Sequence, residues 1–200
     1  MNGQMSTLQE KFFDAPMTGN LVGKGKLLVS VPLRSDGYFD RTVIMIIGYD
    51  REGAMGFILN RPMHVYLQDL MPQYKGFRNV LYNGGPVGLD SVFYIHRYNQ
   101  MGDSEQQLME GLYYGGSESE IRSLMSFGMM DDDHIRFFAG YAGWSAGQLE
   151  QELAKRIWVV AEMRRKYLDV PSDRLWRSVV HDLGESYSSW LEIPDRASYN

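Results

Sequence analysis

Apolar residues along this chain fall in short dense runs more often than in helical stripes. "GKLLVSVP" (Gly25 to Pro32) reads as a strand stopped by proline. "RTVIMIIGY" and "AMGFILN" are apolar runs of strand length on either side of "DREG" (Asp50 to Gly53), whose first Asp and fourth Gly suit a type I turn. The pair predicts a hairpin. Neither run alternates between apolar and polar, so both belong at the centre of a sheet, covered on two faces. "NVLYNGG" and "SVFYIHR", joined through "GGPVGLD", predict two more strands, as do "GLYYGG", "HIRFFAGY" and the β-branched "IWVVA".

Helical spacing is confined to four segments. "HVYLQDLM" fits one short helix before Pro72. In "SESEIRSLMSFG", Ser117 and Glu120 stand in capping-box spacing and Gly128 is a stop signal. "QLEQELAKR" places Leu149 and Leu153 one turn apart in an otherwise polar stretch. "PSDRLWRSVVHDLG" carries Leu175, Val179 and Leu183 at i, i+4 and i+8, starting at Ser172 and ending at Gly184. About seven or eight strands and four helices result, with hairpins first and strand–helix alternation later. That order predicts a single α+β domain: a mixed, mostly antiparallel sheet with helices packed on it. Residues 1–24 are expected to form an N-terminal extension, 25–184 the domain, and 185–200 a partly ordered tail.

Composition narrows the chemistry. A chain of 200 residues buries roughly 70% of its unfolded surface, so its core needs neither metal nor disulfide. The absence of cysteine excludes disulfides, thiolate metal sites and a Cys nucleophile. The N-terminal stretch lacks the apolar core of a signal peptide, and the run "VIMII" is far short of the ~20 residues that span a bilayer. A cytoplasmic protein that does not enter the membrane is expected. Net charge is −5, which disfavours nucleic acid as a partner. The densest basic run, Arg164, Arg165 and Lys166, reads as solvated surface.

The segment that attracts chemistry is Gly143-Trp144-Ser145-Ala146-Gly147, a G-x-S-x-G pentapeptide like the nucleophile elbow of serine hydrolases. A serine needs a base. Only His181 follows Ser145, and the helical spacing sets it on a polar stripe beside Arg174, Arg177 and Ser178. His64, His96 and His134 precede Ser145, and triads occur in other chain orders. The preferred reading is a capping box: the Ser145 side chain accepts the Gln148 N–H while the glutamine reaches back to the Ser145 N–H. A third reading is a binding site for phosphate or carboxylate at this helix start, formed by Gly143, Trp144, Ser145, Gly147 and Gln148. Arg61, at the end of a buried strand in "NRP", is a further candidate anion contact, with a capping or solvated role as the alternative.

Other features have plainer readings. "DDDH" (Asp131 to His134) lacks a cation-loop spacing and reads as a turn. "NGGPV" (Asn83 to Val87) shapes a strand exit and could rim a pocket. Met63, Met71, Met101, Met109, Met129 and Met130 lie near loops or helix ends, where methionines make adaptable surfaces, although ordinary packing is the simpler role. No metal site and no cofactor is expected.

Four blocks together, "GKLLVSVPLRSDGYFDRTVIMI", "GAMGFILNRP", "NGGPVGLDSVFYIH" and "GYAGWSAGQLEQELA", resemble the YqgE/AlgH family of bacterial proteins in order and spacing. The resemblance implies a small, cytosolic, single-domain α+β protein with no established catalytic residue or cofactor. It also brings a proposed role in transcriptional regulation of alginate synthesis. In the family the position of Ser145 is commonly glycine, which speaks against a shared nucleophile. The resulting expectation is a non-enzymatic protein acting through binding, as a regulator, with a protein or small anionic ligand preferred to bare DNA. A serine hydrolase using Ser145 is the rival.

Overall fold

Runs that lack alternation lie where that pattern requires, between two covered faces. In the computed structural model, which describes residues 19–35, 37–98, 105–129 and 133–194, β2 (Val43–Asp50) and β3 (Gly53–Ile58) form the expected hairpin. Asp50 Oδ1 accepts the Glu52 N–H at 2.8 Å across its turn. β2 also pairs with β1 (Lys26–Ser30), which pairs in turn with β10 (Trp158–Glu162). β3 pairs with the second half of a long strand, β9 (Ile135–Ser145). β9 is followed across the sheet by β6 (Val87–His96), β8 (Leu112–Tyr114) and β7 (Gln106–Met109). β5 (Val80–Asn83) runs parallel beside the first half of β9, and β4 (Pro62–Tyr66) pairs antiparallel with β5. The result is the expected α+β domain with a mostly antiparallel sheet, ten strands instead of seven or eight.

Side-chain parity explains the layers. Leu27, Val29, Val43, Met45 and Phe57 face one side of the sheet. There they meet Leu175, Trp176, Val179 and Val180 of α4 (Ser172–Leu183). Leu28, Ile44, Ile46 and Ile58 face the other side, under Leu149 of α3 (Gln148–Ala154). A third cluster packs Leu81 and Phe137 beneath Leu67 of α1 (Leu67–Leu70) and Ile121 and Met125 of α2 (Glu118–Ser126).

Four local expectations are corrected. His64, Val65 and Tyr66 extend β4, so "HVYLQDLM" supplies only the single turn α1. "VGLD" is not a connection, because β6 begins at Val87. β7 was not expected at all. Ser117 does cap α2 by position, but its hydroxyl meets Ser119 Oγ at 2.7 Å instead of a backbone N–H.

The glycine pair in "NGGPV" has a packing reason. Gly85 has φ +154°, and a Cβ there would lie 2.1 Å from the Tyr141 carbonyl carbon, so the segment leaving β5 passes β9 too closely for any side chain. After α4 the chain continues into a 3₁₀ segment, Glu185–Glu192, that buries Tyr187 and Trp190 in the α4 core.

Asp182 ties α4 to the preceding 3₁₀ turn at Arg165–Leu168. It accepts from Lys166 Nζ at 2.5 Å, Tyr167 Oη at 2.8 Å and Arg164 Nη1 at 3.0 Å. Two of the three cations of the basic run are thereby neutralised. Burial raises the carboxyl's pKa, but the hydrogen bonds from Lys166 and Tyr167 outweigh it and hold it at about 2. A depressed carboxylate contributes stability above its unfolded value near 4 and loses it as pH falls toward 2. The contribution at neutral pH is about 2 kcal/mol at most. Asp182→Asn is therefore expected to be less stable than wild type at pH 6, with the gap closing between pH 4 and 2. A urea titration at each pH measures this, and a gap that persists at pH 2 would refute it.

Candidate functional site

The G-x-S-x-G segment forms the end of β9 and the turn into α3. Ser145 is exposed and is the last residue of β9. The N-cap of α3 is Gly147, in the left-handed region at φ +74°, and no side chain caps the helix. The capping box is thus half formed. Gln148 Oε1 accepts the Ser145 N–H at 3.1 Å, as expected. The Ser145 hydroxyl also donates to Gln148 Oε1, at 3.2 Å, and does not accept the Gln148 N–H. Gln148 Nε2 then donates to Glu152 Oε1 at 3.0 Å. Glu152 Oε2 accepts the indole N–H groups of Trp144 at 2.8 Å and Trp158 at 2.7 Å. Residues 148 and 152 share a helix face at i, i+4, so one turn of α3 carries the whole chain of bonds. The segment fastens α3 onto the sheet through two buried tryptophans.

Strand register separates Ser145 from three of the histidines. Ser145 pairs with Gly53, whereas His96 pairs with Ile135, ten residues earlier on β9. That is about 30 Å along the strand. His134 directly precedes Ile135, and His64 lies on β4, joined through β5 to the same early half of β9. His181 is solvent-exposed on α4, as its spacing predicts. The surroundings of the α3 start are also acidic. Asp50 and Glu52 line the neighbouring shallow pocket, and Glu150 accepts the Tyr49 hydroxyl at 2.6 Å. That hydrogen bond lowers the Glu150 pKa. An anion would meet negative charge here.

Arg61 lies in a different place. It lines a cavity of about 550 Å³ between β4, β5 and the start of α4, together with Asn60, Asn83, Trp176 and Arg177. Asn60 is structural: its Oδ1 accepts the Val43 N–H at 3.0 Å and its Nδ2 donates to the Arg41 carbonyl at 2.8 Å. Arg61 Nη2 donates to Thr42 Oγ1 at 3.0 Å and to the Asp40 carbonyl at 3.2 Å, and the guanidinium lies 5.3 Å over the Tyr38 ring. Tyr38 Oη donates to Asn83 Oδ1 at 3.1 Å, which also accepts the Gly85 N–H. "NGGPV" therefore does rim a pocket at Asn83. Among the described residues no carboxylate pairs with Arg61.

A second cavity of about 650 Å³ opens on the other side of Ser172, which lines both. Arg136 lies within it, 4.6 Å over the Tyr82 ring. Its Nη1 and Nη2 donate to the Leu59 carbonyl at 3.2 Å and the Leu168 carbonyl at 2.8 Å. Burial lowers its pKa from the usual arginine value. Nearby Asp169 is already engaged by Arg97 at 2.6 Å.

Residues 27–188 match the AlgH-like family (DUF179). This chain belongs to the AlgH-like family. A UPF0301 protein of Bacteroides thetaiotaomicron is 33% identical over 90% of the chain and 92% of its own length. Another, from Chlorobium phaeobacteroides, is 34% identical over 88% and 95%. Among solved structures, a crystal structure of a Corynebacterium diphtheriae protein aligns with TM-score 0.72 and 26% identity, covering 90% of this chain and 96% of that one. The solution structure of the AlgH protein from Pseudomonas aeruginosa aligns with TM-score 0.69 at 26% identity, covering 90% and 100%.

In this AlgH-like chain the remaining features are structural or fall outside the described residues. Asp131, Asp132, Met101 and Met130 are in the latter group, while His134 sits 5.6 Å from the Tyr98 ring. Met63 and Met71 pack on the α1–α2 cluster, Met109 packs on the α4 core, and Met129 is exposed. Among the described residues no group of three or more His, Asp or Glu could hold a metal ion, and no helix is long and apolar enough to cross a membrane. Three residues that matter were missed by pattern reading: Glu152, Tyr82 and Arg136. Arg136 had a signal, since it is the one charge inside the apolar strand run "HIRFFAGY", where a cation is costly unless something pairs with it.

Proposed function

We propose that this AlgH-like chain acts by binding and not by catalysis, and that its partner is a protein or a small anionic ligand. The observation that carries the reading is the Arg61 cavity. It holds the Arg61 guanidinium with only neutral oxygen partners, on a lining that also carries Arg41, Arg177, Asp40 and Asp173, in a space within the ~300–1,000 Å³ typical of small-molecule sites. In a chain of net charge −5, three arginines against two aspartates on one lining favour a negatively charged guest. A regulatory role fits a domain whose occupancy a partner reads. The sites proposed at Gly143, Trp144, Ser145, Gly147 and Gln148 are weaker candidates, because their polar groups are spent on one another and on Glu152.

The hydrolase rival has a direct test. A fluorophosphonate probe is expected to leave both wild type and Ser145→Ala unlabelled, and Ser145→Ala is expected to cost less than about 1 kcal/mol of stability. Labelling of wild type that vanishes in Ser145→Ala would overturn the binding reading. A thermal-shift screen against organic acids and nucleotides tests the small-ligand half. A ligand at one hundred times its Kd adds about 2.7 kcal/mol, and the shift should disappear in Arg61→Met. No stabilisation across the panel counts against a small ligand and leaves a protein partner. Direct DNA binding is disfavoured; were it present, it would weaken steeply with salt in a gel shift.

A further inference from the structure

We propose that the C-terminal 3₁₀ segment, Glu185–Glu192, with Ile193 after it, is a positioning element of the Arg61 cavity: it holds two of the cavity's arginines in place and so sets its affinity for an anion. The inference rests on the binding reading and adds what controls that site. Arg41 and Arg177 line the cavity with Arg61. They come from separate places, the loop before β2 and the second turn of α4. Arg177 Nη2 donates to the Leu191 carbonyl at 2.8 Å. Arg41 Nη2 donates to the Ile193 carbonyl. Two backbone oxygens of one short segment thus hold two of the three guanidiniums on the lining.

The segment can do this because it is anchored. Trp190 is 1% exposed, its ring meets the buried Tyr187 edge to face at 5.1 Å, and both lie in the core that α4 shares with β1. Leu191 directly follows that anchor. Arg177 is exposed, so without the Leu191 carbonyl its long side chain would sample many rotamers, and ordering it on binding would cost affinity. Arg41 lies 5.0 Å over the Trp176 ring and has φ +49°, a left-handed backbone uncommon outside glycine. Such a conformation persists only where its surroundings hold it. Here the holding contacts are the Asn60 Nδ2 bond to the Arg41 carbonyl, the Trp176 ring and the Ile193 carbonyl. A carbonyl partner is neutral, so it fixes a guanidinium without cancelling its charge. With Asp40 and Asp173 on the same lining, the net pull on an anion depends on where the three cations stand, which is what the segment fixes.

The test is an NMR titration of the full chain with citrate and with inorganic pyrophosphate at constant ionic strength, with hydrogen exchange measured on the same samples. Coupling between two elements is reciprocal. A saturating probe is therefore expected to slow exchange in residues 187–193 more than in α3, on the opposite face of the sheet. Arg177→Met is expected to weaken the better probe roughly fivefold, the scale on which one ordered cationic side chain tells. Trp190→Phe loosens the anchor and leaves every arginine in place. It is expected to weaken the same probe roughly threefold in wild type and less than about twofold in the Arg177→Met background. Equal losses in the two backgrounds would mark Trp190 as ordinary packing and overturn the proposal. Exchange in 187–193 that merely follows α3 in the saturated wild type would overturn it too, with no variant needed and with the binding reading intact. If neither probe binds wild type the proposal also falls, and the thermal-shift panel then judges the small-ligand reading separately.

Discussion

Trp176→Ala is expected to destabilise the protein by about 3–5 kcal/mol, the cost of emptying a fully buried tryptophan site. Trp176 is 2% exposed and packs α4 against β1. Its indole N–H donates to the Ser30 carbonyl at 3.1 Å, and Arg41 lies 5.0 Å over its ring. The substitution therefore removes packing, a hydrogen bond and a cation–π partner together. In a domain of this size the melting temperature should fall by roughly 10 °C. Trp176 also walls the Arg61 cavity, so any anion-induced thermal shift should shrink in a milder variant, Trp176→Phe. A melting temperature within 3 °C of wild type for Trp176→Ala would show that α4 is not held as described.

Glu152→Ala should cost about 2–4 kcal/mol, because it orphans two indole donors at once. Trp144 and Trp158 are both buried, and one carboxylate oxygen serves them both. Glu152→Gln retains one side-chain acceptor oxygen but loses the charge, so roughly half of the loss is expected. Ser145→Ala, at the far end of the same bonded chain, should change little. Chemical denaturation followed by tryptophan fluorescence orders the three. If Glu152→Ala were as stable as Ser145→Ala, the carboxylate would not be the centre of this latch.

The two readings of the G-x-S-x-G segment show how far pattern can go. The sequence permits a nucleophile or a cap, because each needs only a small hydroxyl residue between strand and helix. Register separates Ser145 from His96: pairing along β9 puts His96 at one end and Ser145 at the other. The cap was legible as Ser145–Gln148 spacing, but the direction of its hydroxyl bond was not. That direction follows from Gly147 in the left-handed region, which moves the helix start two residues later. The Gln148–Glu152 spacing was also visible, yet the indoles it serves come from β9 and β10, which only the folded sheet brings together.

Edges were harder to read than centres. β2 and β3 announced themselves because burial on both faces demands continuous apolar runs. β7, "QQLM", is half polar and its strand pairing is with β8 alone, so its four residues carry little periodic signal. β4 competes with helix in "HVYLQDLM", and its backbone bonds to β5 settle the contest in favour of strand up to Tyr66.

By itself, then, the sequence determined the local alphabet of this AlgH-like domain: the central hairpin, helices α2 to α4, and the family, each set by contacts between near neighbours or by ordered blocks of residues. Tertiary structure decided the chemistry. Arg61 and Trp176 are remote in the chain, and Arg61 becomes a candidate anion contact only because the start of α4 brings Ser172 and Trp176 to the same cavity as Pro62 of β4 and Asn83 of β5. The reason is physical: an arginine's role depends on which oxygens surround it, and those come from strands and loops remote in sequence.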